Sequence, residues 1–167
     1  MGTGQMMLAG LATVLLGTTI LSLNSSSIQH GTVLQQTEVG IYGISIATSI
    51  VEEAQGMAFD EKTTDDAVTN TAGLSVTLAP EAGETTAPSS STNFDDFDDF
   101  NNFDATMDVQ GVDRFRVRAQ VYYISPTAPN VSSSSRTWHK RLDVEVTSTA
   151  SSDTIRTSFV FSYFNFR

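Results

Sequence analysis

The segment Met6–Leu23 reads MMLAGLATVLLGTTILSL, eighteen residues without a charged side chain near the start of a 167-residue sequence. About 20 apolar residues span the ~30 Å hydrocarbon core of a bilayer, so this segment is a candidate transmembrane helix. Helical patterning continues to about Phe59, which predicts one long helix over residues 1–59, apolar in 1–24 and amphipathic in 25–59. The rest of the chain makes only one small domain. Because so small a domain can cover only one half of the helix, residues 1–24 need an apolar environment in a bilayer or among copies of the chain.

The apolar segment contains recurring small residues, and small residues let apolar helices pack closely. We therefore predict that it forms the core of a filament through its large side chains, which are Met6, Met7, Leu8, Leu11, Val14, Leu15, Ile20, Leu21 and Leu23. One alternative is a simple membrane anchor. Another is a secretory signal, but a signal has a basic region before its apolar run, and the first basic residue here is Lys62.

The amphipathic segment carries two apolar stripes at helical spacing, more than a surface helix needs to cover one core. The second stripe contains Val39, Ile46, Ile50 and Met57. The first stripe contains Leu34, Ile41, Ile44, Val51, Ala54 and Ala58. Its first five residues are predicted to mediate helix–sheet or helix–helix packing. One stripe can cover the sheet of its own domain while the other meets a neighbouring subunit. The alternative is a helix buried on both sides within one monomer.

Charge is divided unevenly along the chain. Residues 1–113 contain 16 acidic side chains and one basic, whereas residues 114–167 contain eight basic and three acidic, for a net charge of −10. The two parts should attract each other within one chain or between neighbours, and the overall sign argues against a nucleic-acid partner. The chain has no cysteine, so neither a disulfide framework nor a thiolate metal site is available.

Residues 60–111 are predicted to form an acidic loop region with one short strand at Gly73–Ala79. Its most unusual feature is the tract NFDDFDDFNNFD at 93–104, in which a phenylalanine recurs every third residue. An extended or 3₁₀-like course places all these rings on one side. We predict a strap whose rings dock on the domain while its carboxylates face water or a basic sheet. Calcium binding through the carboxylates and a plain solvated loop are the alternatives.

Residues 112–167 are predicted to form an antiparallel sheet. Apolar and polar residues alternate in Val112–Ile124, Trp138–Val146 and Ile155–Phe166, as they do in half-buried strands. The intervening linkers are short enough for an antiparallel meander. The last strand is apolar and needs a cover to avoid being an aggregation-prone edge, and the helix or the phenylalanine strap can supply it.

Charged side chains on the outer face of this sheet are expected to pair across strands. Asp143 and Glu145 fall where they can meet the row Arg114–Arg118. A solvated strand face explains this row better than a polyanion site does.

No catalytic constellation is found in the sequence. His30 and His139 are the only histidines, and neither a Ser-His-Asp order, a His-x-x-x-His pair nor a glycine-rich phosphate loop occurs. We therefore predict no enzymatic activity, no catalytic or metal-binding residue and no cofactor. Asn130-Val131-Ser132 fits a glycosylation sequon.

An apolar N-terminal helix, its amphipathic continuation, a loop region and a terminal antiparallel sheet together resemble the type IV pilin superfamily. The resemblance implies an α+β fold in which a long N-terminal helix, its apolar half protruding, packs on a small C-terminal antiparallel sheet. It also implies an inner-membrane stage, a leader peptidase, an assembly machinery and a homopolymer at the cell surface. The chain departs from the family in two respects: Gln5 stands where a glutamate is usual if Met1 is the mature N-terminus, and the C-terminal cysteine pair is missing.

Two functions are compatible with these features. The first is a structural subunit of an extracellular, pilus-like helical filament held together by bundled N-terminal helices, with a role such as adhesion, motility or DNA uptake. The alternative is a single-pass membrane-anchored surface or secretion-accessory protein with a small β binding domain.

Overall fold

The chain folds as one long N-terminal helix packed against a five-stranded antiparallel sheet, the α+β architecture that the sequence predicts. The helix, α1, covers Thr3–Gln55. Internal contacts divide the chain into two units, which we call the N-terminal unit (Met1–Glu38) and the sheet unit (Val39–Arg167). The computed structural model describes residues 2–81, 83–84, 93–149 and 154–166.

The sheet has the strand order β1-β2-β4-β5, with β3 paired to β2 away from this path. The strands are β1 (Phe103–Val109), β2 (Asp113–Ser125), β3 (Ala128–Ser132), β4 (His139–Ser148) and β5 (Thr154–Ser162). The predicted strands correspond to β2, β4 and β5, and each neighbouring pair is antiparallel. Because side chains alternate along a strand, β2 buries the residues expected from its pattern, which are Phe115, Val117, Ala119, Val121 and Tyr123.

Two strands lie in regions predicted to be loops. Strand β1 falls in the acidic loop region and pairs with β2, to which it is joined by a turn with Gly111 at φ 83°. Strand β3 falls in the linker after β2 and contains Pro129. Proline cannot donate to a strand ladder and is confined to sheet edges or bulges, and β3 is exposed along its whole length.

The strand predicted at Gly73–Ala79 is wrong. Four 3₁₀ helices are described, Glu61–Thr63, Thr71–Gly73, Asp98–Phe100 and Tyr163–Phe166, and the second of them ends at Gly73. In the segment that follows, the backbone groups of Ser75 form hydrogen bonds with side chains and not with a neighbouring strand. The Ser75 N–H donates to both carboxylate oxygens of Asp60, at 3.0 and 3.1 Å, and the Tyr123 hydroxyl donates to the Ser75 carbonyl at 2.8 Å.

In the sheet unit, α1 faces the core with small residues. Its buried positions are Val39, Gly43, Ala47, Ile50 and Ala54. A Cβ added at Gly43 would collide with the side chain of Ile155 and lie 3.7 Å from the ring of Phe115. Gly43 therefore lets the helix approach strands β2 and β5 closely.

The predicted packing stripe is only partly the face that meets the sheet. Ala54 is fully buried and Val51 is half-buried against the core, whereas Ile41 and Ile44 are exposed. In the N-terminal unit Leu34 is 70% exposed. The face that meets the core instead follows the second stripe, since Val39 and Ile50 are buried and Ile46 and Met57 pack against the core. The small residues Gly43 and Ala47 lie on the same face and permit close approach. Helix–helix packing by the exposed residues stays a prediction.

The phenylalanine strap docks as predicted. Phe94, Phe97, Phe100 and Phe103 are all buried, and the strap takes a 3₁₀ turn at Asp98–Phe100. The ring of Phe97 meets that of Phe161 edge-on with centroids 5.0 Å apart, and it also contacts Phe159. The strap thus supplies the cover that the apolar strand β5 requires.

We expect Gly43→Leu to destabilise the sheet unit by about 1–3 kcal/mol, the usual cost of overpacking a core. Gly40→Leu is the matched control, because a Cβ at Gly40 has no atom within 4 Å, and replacing a helical glycine there should stabilise by up to about 1 kcal/mol. Urea unfolding of the full chain in non-ionic detergent, followed by near-UV circular dichroism, measures both. Equal midpoints for the two variants would contradict the close approach at Gly43.

Candidate assembly surface and acidic cluster

The predicted filament-core residues all lie on exposed helix. In the N-terminal unit the side chains of Met6, Met7, Leu8, Leu11, Val14, Leu15, Ile20, Leu21 and Leu23 are exposed. An 18-residue window of α1 has a mean hydropathy of 2.0, and none of it is buried. By length and composition the helix can cross a membrane, a test that a signal sequence near the N-terminus also passes.

Threonine hydroxyls in this segment are satisfied within the helix. Thr13 donates to the Gly10 carbonyl at 2.8 Å, and Thr18 and Thr19 donate to that of Leu15 at 2.9 and 2.8 Å. In hydrocarbon, unsatisfied polar groups cost several kcal/mol each. Because these hydroxyls already have acceptors, the segment can be surrounded by lipid or by other helices without leaving them unpaired.

Exposed apolar residues continue beyond this segment. In the N-terminal unit they include Ile28, Val33 and Leu34, and in the sheet unit Ile41 and Ile44. Counted along α1 from Met6, the exposed apolar positions therefore extend over about twice the roughly 20 residues that cross a bilayer.

Strand β4 carries a buried lysine on its apolar face. Lys140 is fully buried, and its Nζ donates to the Phe59 carbonyl at 2.7 Å, to Asp60 Oδ2 at 2.8 Å and to Asp98 Oδ1 at 2.5 Å. The ammonium also lies 4.7 Å from the ring centroid of Phe59. Alternation along the strand places Lys140 on the buried face between Trp138 and Leu142. A prediction based only on the apolar residues of this strand does not identify Lys140 as buried.

Asp60 is held ionised by this lysine. Burial alone would raise its pKa, but the charge and hydrogen bond of Lys140, with hydrogen bonds from Ser75 and the Lys62 N–H, bring the pKa below its ordinary value. The Tyr123 hydroxyl lies 3.0 Å from Asp60 Oδ2 and shares its one proton between this carboxylate and the Ser75 carbonyl. One carboxylate thus joins the end of α1 to the sheet and to the loop at Ser75.

The carboxylates of the strap do not all face water or a basic sheet as predicted. Asp96, Asp98 and Asp99 are buried. Asp96 Oδ1 accepts from the N–H groups of Asp98 and Asp99 at 2.8 and 3.2 Å, and Asp99 Oδ2 accepts from those of Asp95 and Asp96 at 3.0 and 3.2 Å. The acidic turn Asp95–Asp99 thus uses its own side chains to satisfy its backbone, which draws them inward.

Several buried carboxylate oxygens have no hydrogen-bond partner. In the described part of the chain they are Glu81 Oε2, Asp96 Oδ2, Asp98 Oδ2 and Asp99 Oδ1. Burial and the charges of Asp98 and Asp99 raise the pKa of Asp96 to about 9. Burial also raises the pKa of Asp99 to about 6, and burial with the neighbouring Glu84 raises that of Glu81 to about 7.

Six acidic residues in this region form two groups of three. Within each group, one carboxylate oxygen of each residue lies within 4.8 Å of the others. One group is Glu61, Asp95 and Asp96, and the other is Glu81, Glu84 and Asp99. We call the six residues together the acidic cluster. The charge of Glu61 contributes to the raised pKa of Glu81, so the two groups interact electrostatically.

The outer face of the sheet carries the expected ion pairs in part. Arg116 lies 2.6 Å from Asp104, and Arg118 lies 3.5 Å from Glu145. Asp143 does not join this row, because it stands opposite Gln120 in the β2–β4 register. It accepts instead from the Arg141 Nε at 2.7 Å and the Tyr122 hydroxyl at 2.6 Å.

The histidines lie apart from these features. His30 is exposed in the N-terminal unit, and His139 Nδ1 lies 2.7 Å from Ser162 Oγ in the sheet unit.

Comparison of the chain with protein-family models, with curated proteins and with solved structures found no match.

We expect Lys140→Met to destabilise the sheet unit by about 3–5 kcal/mol, because it leaves two buried carboxylates without their cation. Lys62→Met is the matched control, since Lys62 is exposed and surface substitutions usually change stability by less than about 0.5 kcal/mol. Urea midpoints of the full chain in non-ionic detergent measure the difference. Equal midpoints for parent and Lys140→Met would show that the carboxylates do not depend on this ammonium.

Proposed function

We propose that this chain is a structural subunit of an extracellular helical filament, similar in plan to the type IV pilins that it resembles. Its N-terminal helices would bundle to form the filament core, and its sheet unit would form the outer surface. The long apolar N-terminal helix and the small antiparallel sheet both belong to that plan.

The observation that carries the proposal is the extent of exposed apolar residues along α1. They continue from Met6 to Ile44, whereas a single bilayer crossing covers only about 20 residues. A membrane anchor alone would leave Leu34, Ile41 and Ile44 in water. Packing with copies of the same helix covers both sets of residues.

The mechanism is a change of apolar environment. Before assembly the segment Met6–Leu23 lies in the inner membrane, and on assembly it moves into a bundle of identical helices. Lipid and leucine are similarly apolar, so close packing has to favour the bundle, and small residues such as Gly10 and Gly17 permit it. Contacts between unlike surfaces of identical subunits that do not close into a ring then extend without limit.

Charge on the sheet unit can orient neighbouring subunits during assembly. Its acidic loops and the arginines of β2 are opposite in sign, and complementary potentials guide docking. Part of this charge is already used within one chain, since Asp104 pairs with Arg116.

We expect Leu34→Asp to reduce the yield of sheared filaments at least tenfold without changing membrane extraction. A charge at the centre of an apolar helix bundle costs about 2.5–3.5 kcal/mol if it resembles a charge in a bilayer, and Leu34 lies outside the predicted membrane segment. Val76→Asp is the matched control, because Val76 is also an exposed apolar residue, 79% accessible, but belongs to the loop of the sheet unit. Electron microscopy and quantification of the sheared fraction provide the measurement.

The same experiment distinguishes the membrane-anchored alternative. If the parent chain is extracted by detergent as a monomer and sheds no filaments on shearing, the filament proposal is wrong and an anchored surface protein is favoured. Filaments that form equally well from Leu34→Asp would show that this part of α1 is not in the core.

A further inference from the structure

The acidic cluster gathers six carboxyl groups, and none of them forms a salt bridge with a basic side chain in the described part of the chain. It gathers Glu61 after α1, the side chains of Glu81 and Glu84, and the acidic turn of the strap. Lys140 is the only buried basic side chain in the described part of the chain, and it is engaged by Asp60 and Asp98. The buried carboxylates of Asp96 and Asp99 therefore lack a cation.

Each group of the cluster contains one completely buried aspartate, and in both aspartates only one of the two carboxylate oxygens accepts hydrogen bonds. In Asp96, Oδ1 accepts two backbone N–H groups and Oδ2 is buried without a partner; in Asp99, Oδ2 accepts two and Oδ1 has none. Leaving a buried polar group unpaired is costly, and a buried charge more so. The turn fixes one oxygen of each aspartate, and the other accepts no N–H or O–H group of the described residues, although the carboxyl group of Asp96 lies against that of Asp98.

We propose that the acidic cluster binds Ca²⁺ through carboxylate oxygens of Asp96 and Asp99 together with those of Glu61, Glu81, Glu84 and Asp95. The donors are all hard oxygens, which Ca²⁺ takes six to eight at a time at about 2.3–2.6 Å. Two ligands on opposite sides of such an ion are about 4.6–5.2 Å apart. The 4.8 Å within which each group's oxygens lie fits ligands that share one ion.

Calcium fits these groups better than magnesium does. Mg²⁺ demands near-octahedral geometry at about 2.0–2.1 Å and retains several waters. The cluster instead offers many carboxylates from three chain segments, some buried and some exposed, a set suited to the larger and more adaptable ion. Binding would tie these three segments together at the end of the strap, independently of whether the chain forms filaments.

The experiment is a thermal melt and a calorimetric titration of the full chain in non-ionic detergent. CaCl2 or MgCl2 is added to 10 mM at constant ionic strength, with EGTA as the metal-free reference and near-UV circular dichroism as the folding signal. Ligand present at about 100 times its Kd should raise the Tm of a unit of this size by about 5 °C or more. We expect this rise with Ca²⁺, a saturable calorimetric signal, and little change with Mg²⁺.

Variants locate the site and separate binding from folding. Asp99→Asn and Asp96→Asn keep an oxygen for the backbone N–H groups but remove the charge, so each should abolish or at least halve the Ca²⁺-induced rise in Tm. In EGTA they should melt at or above the temperature of the parent, because a buried acid whose ionisation is unfavourable has been replaced by a neutral amide of the same shape. Glu84→Gln, at a half-buried position, should reduce the response in the same way and serves if an aspartate variant does not fold.

Asp108→Asn is the matched control, since Asp108 is an exposed acid on strand β1 outside the cluster. It should keep the full response to Ca²⁺. A parent chain that Ca²⁺ does not stabilise, equal effects of Ca²⁺ and Mg²⁺, or an unchanged response in Asp96→Asn, Asp99→Asn and Glu84→Gln would each overturn the proposal. A proton held by Asp96 would then account for the buried acids.

Discussion

The exposed apolar surface of α1 sets the main constraint on this protein. Burying one large apolar side chain stabilises by about 1.5–3 kcal/mol, and ten such residues between Met6 and Leu23 are exposed. Leaving them in water thus forgoes about 15–30 kcal/mol, at least as much as the whole stability of a typical domain, about 5–15 kcal/mol. In the described structure these side chains are not covered by the chain's own folding, and in the proposed filament lipid and then copies of the helix would supply the missing contacts.

In the sheet unit, the face of α1 towards the core and its exposed face differ in the size of their residues. The face towards the core uses Gly43, Ala47 and Ala54, which allow the backbone to approach the sheet, while Ile41 and Ile44 are exposed. Hydrophobicity alone would place Ile41 and Ile44 against the core and Gly43 and Ala47 outside, the reverse of what is observed. Size matters most at Gly43, because a Cβ there would collide with Ile155, whereas Val39 and Ile50 still pack against the core from the same face.

The sequence was sufficient to predict the elements with a strong period, and it failed where side chains bind the backbone. Alternation located β2, β4 and β5, and the period of three in the strap predicted its docked rings. The supposed strand at Gly73–Ala79 failed because Asp60 and Tyr123 take the backbone groups of Ser75. Lys140 and the inward turn of Asp96 and Asp99 escaped notice because charged residues were assumed to face water, although strand alternation already placed Lys140 inside.

The burial of Lys140 makes the chemical reactivity of its amine a measure of whether β4 has separated from the strap. The chain has two lysines, Lys62 and Lys140, of which the first is exposed and the second is enclosed by Asp60, Asp98 and two aromatic rings. An amine-reactive reagent therefore labels Lys62 in the native state and reaches Lys140 only when β4 separates from the strap. The ratio of the two labelled peptides follows the loosening of this junction in a monomer, a membrane or a polymer alike.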